Sequence, residues 1–223
     1  FKIPNTEIFP ILALVVSGGH TSLILMKNHL EYETVGQTID DAAGEAFDKV
    51  ARILGLGYPG GPAIEKFAVG GNEDAYKLPL SMLNSKDLNF SFSGLKTAVL
   101  YLTKDPATQK PRKYNKKNLA ASFQKTVAEI LTKKTIRAIE KYRPKTVILS
   151  GGVSANSYLR EHFTSELSAV SGQPSAEILI PPKNLSTDNA FGIAIAGTIK
   201  FLNNKQTSWD KISARANFPI DRI

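Results

Sequence analysis

The stretch Ile11-Leu-Ala-Leu-Val-Val-Ser-Gly-Gly-His-Thr-Ser-Leu-Ile-Leu-Met26 decides how the rest of the chain is read. Two apolar runs flank Ser17-Gly18-Gly19-His20-Thr21, which predicts a β-hairpin with the glycine pair at its tip. Adjacent glycines supply the left-handed φ that I′-type turns require, and without Cβ atoms they let a ligand approach the main chain. Their N–H groups, with the hydroxyls of Ser17 and Thr21, are expected to form a small concave donor site for a phosphate or carboxylate. Taken alone, the stretch reads equally well as an ordinary Gly-Gly turn.

A second glycine pair lies far downstream, in Thr146-Val-Ile-Leu-Ser-Gly-Gly-Val-Ser-Ala-Asn156. The β-branched run before it reads as a buried parallel strand, and Asn156-Ser-Tyr-Leu-Arg opens a helical stretch. Strand, Gly-Gly and helix start bring a nucleotide against backbone and helix N-terminus. A tight strand-to-helix connection explains the same residues. Two such pairs, each after a buried strand, carry more weight than one.

Between these anchors, strands are expected at about 11–16, 22–27 and 30–35, forming an antiparallel meander. Asp40-Asp-Ala-Ala-Gly-Glu-Ala-Phe-Asp-Lys-Val-Ala-Arg-Ile-Leu54 carries a 3.6-period apolar stripe of Ala43, Ala46, Phe47, Val50, Ala51 and Leu54. Its polar side holds Asp41, Glu45, Asp48 and Arg52. Gly55-Leu-Gly-Tyr-Pro-Gly-Gly-Pro62 ends that helix. The segment 62–118 reads as an insertion, irregular apart from a short helix at 63–69, with Phe90-Ser-Phe-Ser-Gly-Leu-Lys-Thr97 as a loop. A long helix follows over 119–141 with Phe123, Val127, Ile130, Leu131, Thr135 and Ala138 in register, then a strand at 146–150. A helix at 156–170, a strand at 177–180 and an apolar helix over 186–201 complete the chain, the last expected to close the core. This order is that of a ribonuclease H-like α/β lobe, with a mixed sheet and flanking helices, as used in actin-like ATPases and sugar kinases.

Composition limits the function classes. A chain of 223 residues with 42% hydrophobic content can bury a full core. Without cysteine it has no disulfide, thiolate metal site or thiol nucleophile, which fits a cytoplasmic setting. No apolar stretch reaches membrane-spanning length, and residues 1–10 do not read as a signal peptide. The net charge of +8 suits an anionic partner. Its densest part is 104–117, including Lys110-Pro-Arg-Lys-Tyr-Asn-Lys-Lys117, which reads as a nucleic-acid contact or as a solvated, mobile loop.

Six motifs in order resemble one family. They are Val-Ser-Gly-Gly-His-Thr (16–21), Asp-Asp-Ala-Ala-Gly-Glu-Ala-Phe-Asp-Lys (40–49), Tyr-Pro-Gly-Gly-Pro (58–62), Phe-Ser-Phe-Ser-Gly-Leu-Lys-Thr (90–97), Ser-Gly-Gly-Val-Ser-Ala-Asn (150–156) and Ser-Thr-Asp-Asn-Ala (186–190). Together they resemble the tRNA N6-adenosine threonylcarbamoyltransferases, once called O-sialoglycoprotein endopeptidases, in a bacterial or organellar spelling. The resemblance implies transfer of threonylcarbamoyl from threonylcarbamoyl-adenylate to N6 of the adenosine just 3′ of the tRNA anticodon. It implies one divalent metal, iron ahead of zinc. It also implies the tRNA anticodon arm, a paralogous subunit and an ATPase subunit as partners.

Carried over by motif, Val15, Val16, Ser17, Gly18 and Gly19 match the acyl-phosphate contact. Asp48 matches the carboxylate on the nucleotide ribose, Gly61 the backbone beside it, and Glu65 a second ribose contact. Asn156 matches a nucleotide-contacting amide, and Asp188 a metal ligand. No side chain is assigned a catalytic role. The family's His-x-x-x-His pair has no counterpart at that spacing among His20, His29 and His162. The expectation is therefore that residues 1–223 form the second lobe of a two-lobe fold, without the first lobe, and are inactive alone.

Simpler roles stand beside these. Asp48 on a polar helix face is ordinarily solvated. Asp188 and Asn156 are both suitable helix N-caps. Lys96 is expected at the surface, and His20 is given no metal. A kinase or ATPase of the same fold, or a non-catalytic paralogous partner, remains the alternative. Ser17 argues against the kinase, because those enzymes place a carboxylate there. Absence of His-Glu-x-x-His excludes a zincin protease site within the chain.

Overall fold

A computed structural model describes residues 8–169, 176–213 and 220. Its centre is a five-stranded mixed sheet in the order β3-β2-β1-β4-β5. Strands β1 (Ile11–Val16), β2 (Thr21–Asn28) and β3 (Glu31–Gln37) form the antiparallel meander. Strand β4 (Thr146–Ser150) pairs parallel with β1, matching Ile11 to Thr146 and Val15 to Ser150. Strand β5 (Glu177–Leu179) adds in parallel at the edge. The face of β1 and β4 that carries Leu12, Leu14, Val16, Val147 and Leu149 lies in the core, while Val15 and Ile148 on the other face are half-buried. The mixed sheet with flanking helices is the expected α/β lobe.

Helix α1 (Ala43–Leu54) buries the anticipated stripe, and Gly55 ends it in the left-handed conformation with φ 63°. Helix α2 (Gly60–Ala68) begins three residues earlier than the pattern suggested. Helix α4 (Lys116–Tyr142) buries all six residues placed in register, Thr135 included. Phe123 packs edge-on against Phe47, with ring centroids 5.1 Å apart, joining α4 to α1. Helix α5 is Ser157–Ala169, and position 170, expected to end it, lies outside the described residues.

Three expectations need correction. The supposed loop 90–97 contains the first turns of a helix, α3 (Ser93–Thr103), which buries Leu95, Val99 and Thr103. The run 104–117 is also folded. Lys104 bridges to Pro111, Arg112 N–H donates to the Thr103 carbonyl, and Asp105 pairs with Arg112 at 2.8 Å. Finally, α6 (Ala190–Leu202) is apolar but closes no core: none of its residues is buried, and Ile193 is 76% exposed. No described helix is long and apolar enough to cross a membrane.

The irregular part of the insertion is strapped to α4. Lys134, fully buried, donates from Nζ to Ser85 Oγ at 2.7 Å and to the Asp87 carbonyl at 2.9 Å. Arg137 donates to the carbonyls of Leu83 and Ser85. Burial pushes the Lys134 ammonium below its usual range.

Candidate nucleotide-binding cleft

Strands β1 and β4 run side by side in parallel, so their carboxyl ends, Val16 and Ser150, open in the same direction. Ligands of open α/β sheets bind at such ends. Here the two glycine pairs continue the strands and come together. Gly151, at φ 91°, lies so close to β1 that a Cβ on it would stand 2.4 Å from the Val16 carbonyl. Beyond them opens a cleft of about 320 Å³, bordered by Gly18, Gly152, Asp48, Glu65, Asn156 and Thr187 among others.

The first hairpin differs from its expected form. Gly18 and Gly19 do not adopt positive φ. Ser17 N–H donates to the His20 carbonyl, and Ser17 Oγ accepts the N–H groups of Gly19 and His20. Thr21 is buried, its Oγ1 accepting the Ala43 N–H at the start of α1. The Ser17 carbonyl accepts the N–H of Gly44. The anticipated donor site is therefore largely consumed in closing the turn and capping α1. Among the described residues, the N–H of Gly18 is left without a partner at the cleft. A Cβ at Gly18 or Gly19 would meet open space, whereas one at Gly44 would stand 2.6 Å from the Ser17 carbonyl. Close packing of helix on hairpin requires Gly44. Val15 and Val16 end β1 and do not border the cleft, Val16 being fully buried.

Asp48 is half-buried on the cleft side of α1, and its Oδ1 accepts the Gly60 N–H at 2.7 Å. Gly60 must be glycine, since a Cβ would lie 2.5 Å from the Asp48 Cα. That contact seats the start of α2 on α1 and carries Gly61 to the cleft. Asp48 Oδ2 has no hydrogen bond among the described residues. Glu65 Oε1 accepts the Ser157 N–H at 2.8 Å, bridging α2 to α5. Asn156 is buried, and its side chain works as a cap. Its Oδ1 accepts the Leu159 N–H, and its Nδ2 donates to Gln124 Oε1 at 3.0 Å. Its second amide hydrogen is what remains for a ligand.

Asp188 caps nothing. Asn189 is the N-cap of α6, its side chain accepting the Gly192 N–H, and Asp188 is exposed. The helix-cap explanation for Asp188 falls away. Among the described residues, no three of His, Cys, Asp and Glu converge as a metal site. One exposed carboxylate does not hold an ion, so these residues do not fit a resident metal by themselves.

Sequence reading missed several residues that build the cleft. Arg160 donates to the carbonyls of Ser154 and Pro181 and to Ser186 Oγ, tying the loop that carries Thr187 to the turn after Gly152. Asp40 joins two motifs 50 residues apart. It accepts hydrogen bonds from the hydroxyls of Ser91 and Ser93 and from the Phe92 and Ser93 N–H groups, capping α3. Asp41 beside it pairs with Lys49 at 2.7 Å and meets Lys96 at 3.7 Å, so Lys96 is not an isolated surface lysine.

Burial works against the charge on Asp40, but the Ser91, Ser93 and backbone donors prevail and hold its carboxyl below the usual range. A carboxyl lowered on folding contributes stability above its unfolded value of about 3.9, and that contribution is lost as pH falls through the folded value. The melting-temperature gap between wild type and Asp40→Asn should stay constant from pH 6 to 8 and narrow below about pH 4. A gap independent of pH down to acid unfolding would show that the carboxylate charge is not what anchors α3.

Comparison with known proteins shows the family and the fold. The family model described as TsaD, tRNA N6-adenosine threonylcarbamoyltransferase, matches residues 2–195. The chain is 53% identical over 190 residues to a curated tRNA N6-adenosine threonylcarbamoyltransferase of Thermosipho africanus, covering 84% of this chain and 55% of that protein. It is 50% identical over 209 residues to that of Bacillus subtilis, covering 94% and 59%. The chain thus spans little more than half the length of these relatives. A crystal structure of full-length HypF in its phosphate- and nucleotide-bound form superposes with TM-score 0.64 at 14% identity, over 89% of this chain and 34% of that one. That likeness shows the fold.

Proposed function

The chain belongs to the TsaD family of tRNA N6-adenosine threonylcarbamoyltransferases, and from that membership we propose that its cleft holds the adenylate of threonylcarbamoyl-adenylate. The acyl group then passes to N6 of the adenosine just 3′ of the anticodon. The observation that carries this reading is the meeting of one glycine from each pair, Gly18 and Gly152, with Asp48 and Glu65 on one concavity at the ends of β1 and β4.

In this reading the unused Oδ2 of Asp48 and the free oxygen of Glu65 accept the ribose hydroxyls. The Gly18 N–H faces the acyl-phosphate beside the side-chain-free Gly19, with Gly61 and Asn156 flanking the nucleoside. The reaction needs no protein nucleophile. The N6 amine attacks the carbamoyl carbonyl, the bond to the phosphate oxygen breaks, AMP departs and N6 loses a proton. The chain's contribution is to bind the leaving nucleotide and to orient the carbonyl. Ser17 supplies no carboxylate for Mg²⁺, and its hydroxyl is engaged in the turn, which disfavours γ-phosphoryl transfer. Full-length protein given threonylcarbamoyl-adenylate and unmodified tRNA should yield threonylcarbamoyladenosine on nucleoside digestion. Release of AMP without modified tRNA would overturn the reading.

The same proposal treats residues 1–223 as one lobe of a two-lobe cytoplasmic enzyme. It assembles there with a paralogous subunit and an ATPase subunit. Asp188 is assigned as one ligand of a divalent ion, iron ahead of zinc, completed by groups outside the described residues. Because Asn189 already caps α6, Asp188→Asn should leave the melting temperature of the metal-stripped full-length protein unchanged while lowering the metal content of the reloaded protein. Full metal occupancy in that variant would remove Asp188 from the ligand set.

The folded arm 104–117 is assigned to the tRNA. It carries six cations against one carboxylate, and Lys113, Lys116 and Lys117 are exposed. Lys116 and Lys117 open α4, where the helix dipole disfavours positive charge. Replacing Lys113, Lys116 and Lys117 by Gln should reduce the slope of log affinity for tRNA against log salt by up to about 3, with adenylate affinity unaltered. An identical slope would mean that the arm does not touch the nucleic acid.

A further inference from the structure

Two aromatic side chains border the cleft among the described residues, and they differ sharply. Phe47 is buried against Phe123, whereas Tyr58 is 83% exposed. The Tyr58 hydroxyl makes no hydrogen bond among the described residues. Its backbone, by contrast, is tightly specified. Gly57 before it adopts φ 95°, and two residues later the Gly60 N–H is fixed to Asp48 Oδ1. The loop backbone that carries Tyr58 is therefore seated beside the Asp48 carboxylate, and no hydrogen bond of that seating involves the ring. Single exposed aromatics on a convex surface need no explanation. This one stands at the rim of a concavity whose polar groups suit a ribose and a phosphate.

We propose that Tyr58 is the stacking platform for the nucleobase of the bound adenylate. The assignment rests on the adenylate reading of the cleft. With the ribose hydroxyls on Asp48, the remaining part of the ligand is a flat purine, which needs an apolar face rather than another charge. A phenol ring offers that face and loses little rotamer freedom in doing so. Such a surface distinguishes a nucleotide from a bare sugar phosphate more than one base from another.

Calorimetry on the full-length protein with AMP and with ribose 5-phosphate tests this. Tyr58→Ala should weaken AMP binding about 5–160-fold, the range for loss of one base-aromatic stack. Ribose 5-phosphate affinity and the melting temperature should not change. Tyr58→Phe should bind AMP like wild type. The H2 and H8 protons of bound AMP should show ring-current shifts in wild type and Tyr58→Phe that vanish in Tyr58→Ala. A parallel fall in both affinities would mean that Tyr58 only shapes the loop and would overturn the proposal. Weakening of AMP by Asp48→Asn but not by Tyr58→Ala would overturn stacking while leaving the adenylate reading intact. AMP binding insensitive to both substitutions would overturn the two together.

Discussion

An Asp48→Ala enzyme should bind the adenylate more weakly by ~1.5–3 kcal/mol, the scale of a charge-assisted hydrogen bond to a ligand. The structure gives the substitution a second effect, because Asp48 Oδ1 also accepts the Gly60 N–H. Alanine leaves that donor without its partner and loosens the start of α2, with Gly61 just beyond it. Asp48→Asn separates the two roles. An amide oxygen still accepts from Gly60, so the loop stays seated, while the ligand loses its charged acceptor. Most of the affinity loss should therefore appear already in Asp48→Asn, and the further step to alanine should show mainly as lower stability. Calorimetric affinities near wild type in both variants would remove Asp48 from the site.

Phe123→Ala should cost about 3–5 kcal/mol of folding stability. Phe123 is fully buried, and its ring meets Phe47 edge-on, linking the long helix to the helix that carries Asp48. Truncation leaves a cavity against Phe47, and close-packed interiors collapse only partly around such a loss. Against a total of ~5–15 kcal/mol, this is a large share. The urea midpoint should fall with little change in slope, since the surface exposed on unfolding is nearly the same. A midpoint within error of wild type would mean that the α1–α4 contact is not part of the core.

The central sheet was legible because its signals are local: alternating or continuous apolar runs bounded by glycine pairs. The 3.6-residue stripes of α1 and α4 were legible for the same reason, down to Thr135. Helix α3 was not. Its first residues, Ser93-Gly-Leu-Lys, look like loop, and the carboxylate that caps it belongs to Asp40, far away in the chain. A cap supplied from elsewhere leaves no trace in the neighbouring sequence.

Helix α6 failed differently. Its apolar character was plain, but periodicity cannot say which surface an apolar helix meets, and none of its side chains is buried here. The cleft was legible through its glycines, though partly for the wrong reason. Gly18 and Gly19 were credited with a left-handed turn they do not make, while Gly44, Gly60 and Gly151 provide the close approaches. Whether an Asn or Asp caps a helix or faces a ligand is decided by where its side chain points, as Asn156 and Asn189 show.

The parallel pairing of β1 with β4 has a consequence for how the chain is made. Ile11 finds its partner Thr146 only after roughly 130 further residues have left the ribosome, on the order of 10–30 s at ordinary elongation rates. The β1–β2 hairpin can form almost at once. Throughout that interval its inner edge presents unpaired N–H and C=O groups on a strand of Ile, Leu, Ala and Val, the type of edge that recruits other strands. Pairing across so long a loop is also slow once it becomes possible. The nascent chain thus keeps its most apolar strand waiting longest for a neighbour, which makes the period of synthesis, rather than the finished fold, the time when this protein most needs protection from its own copies.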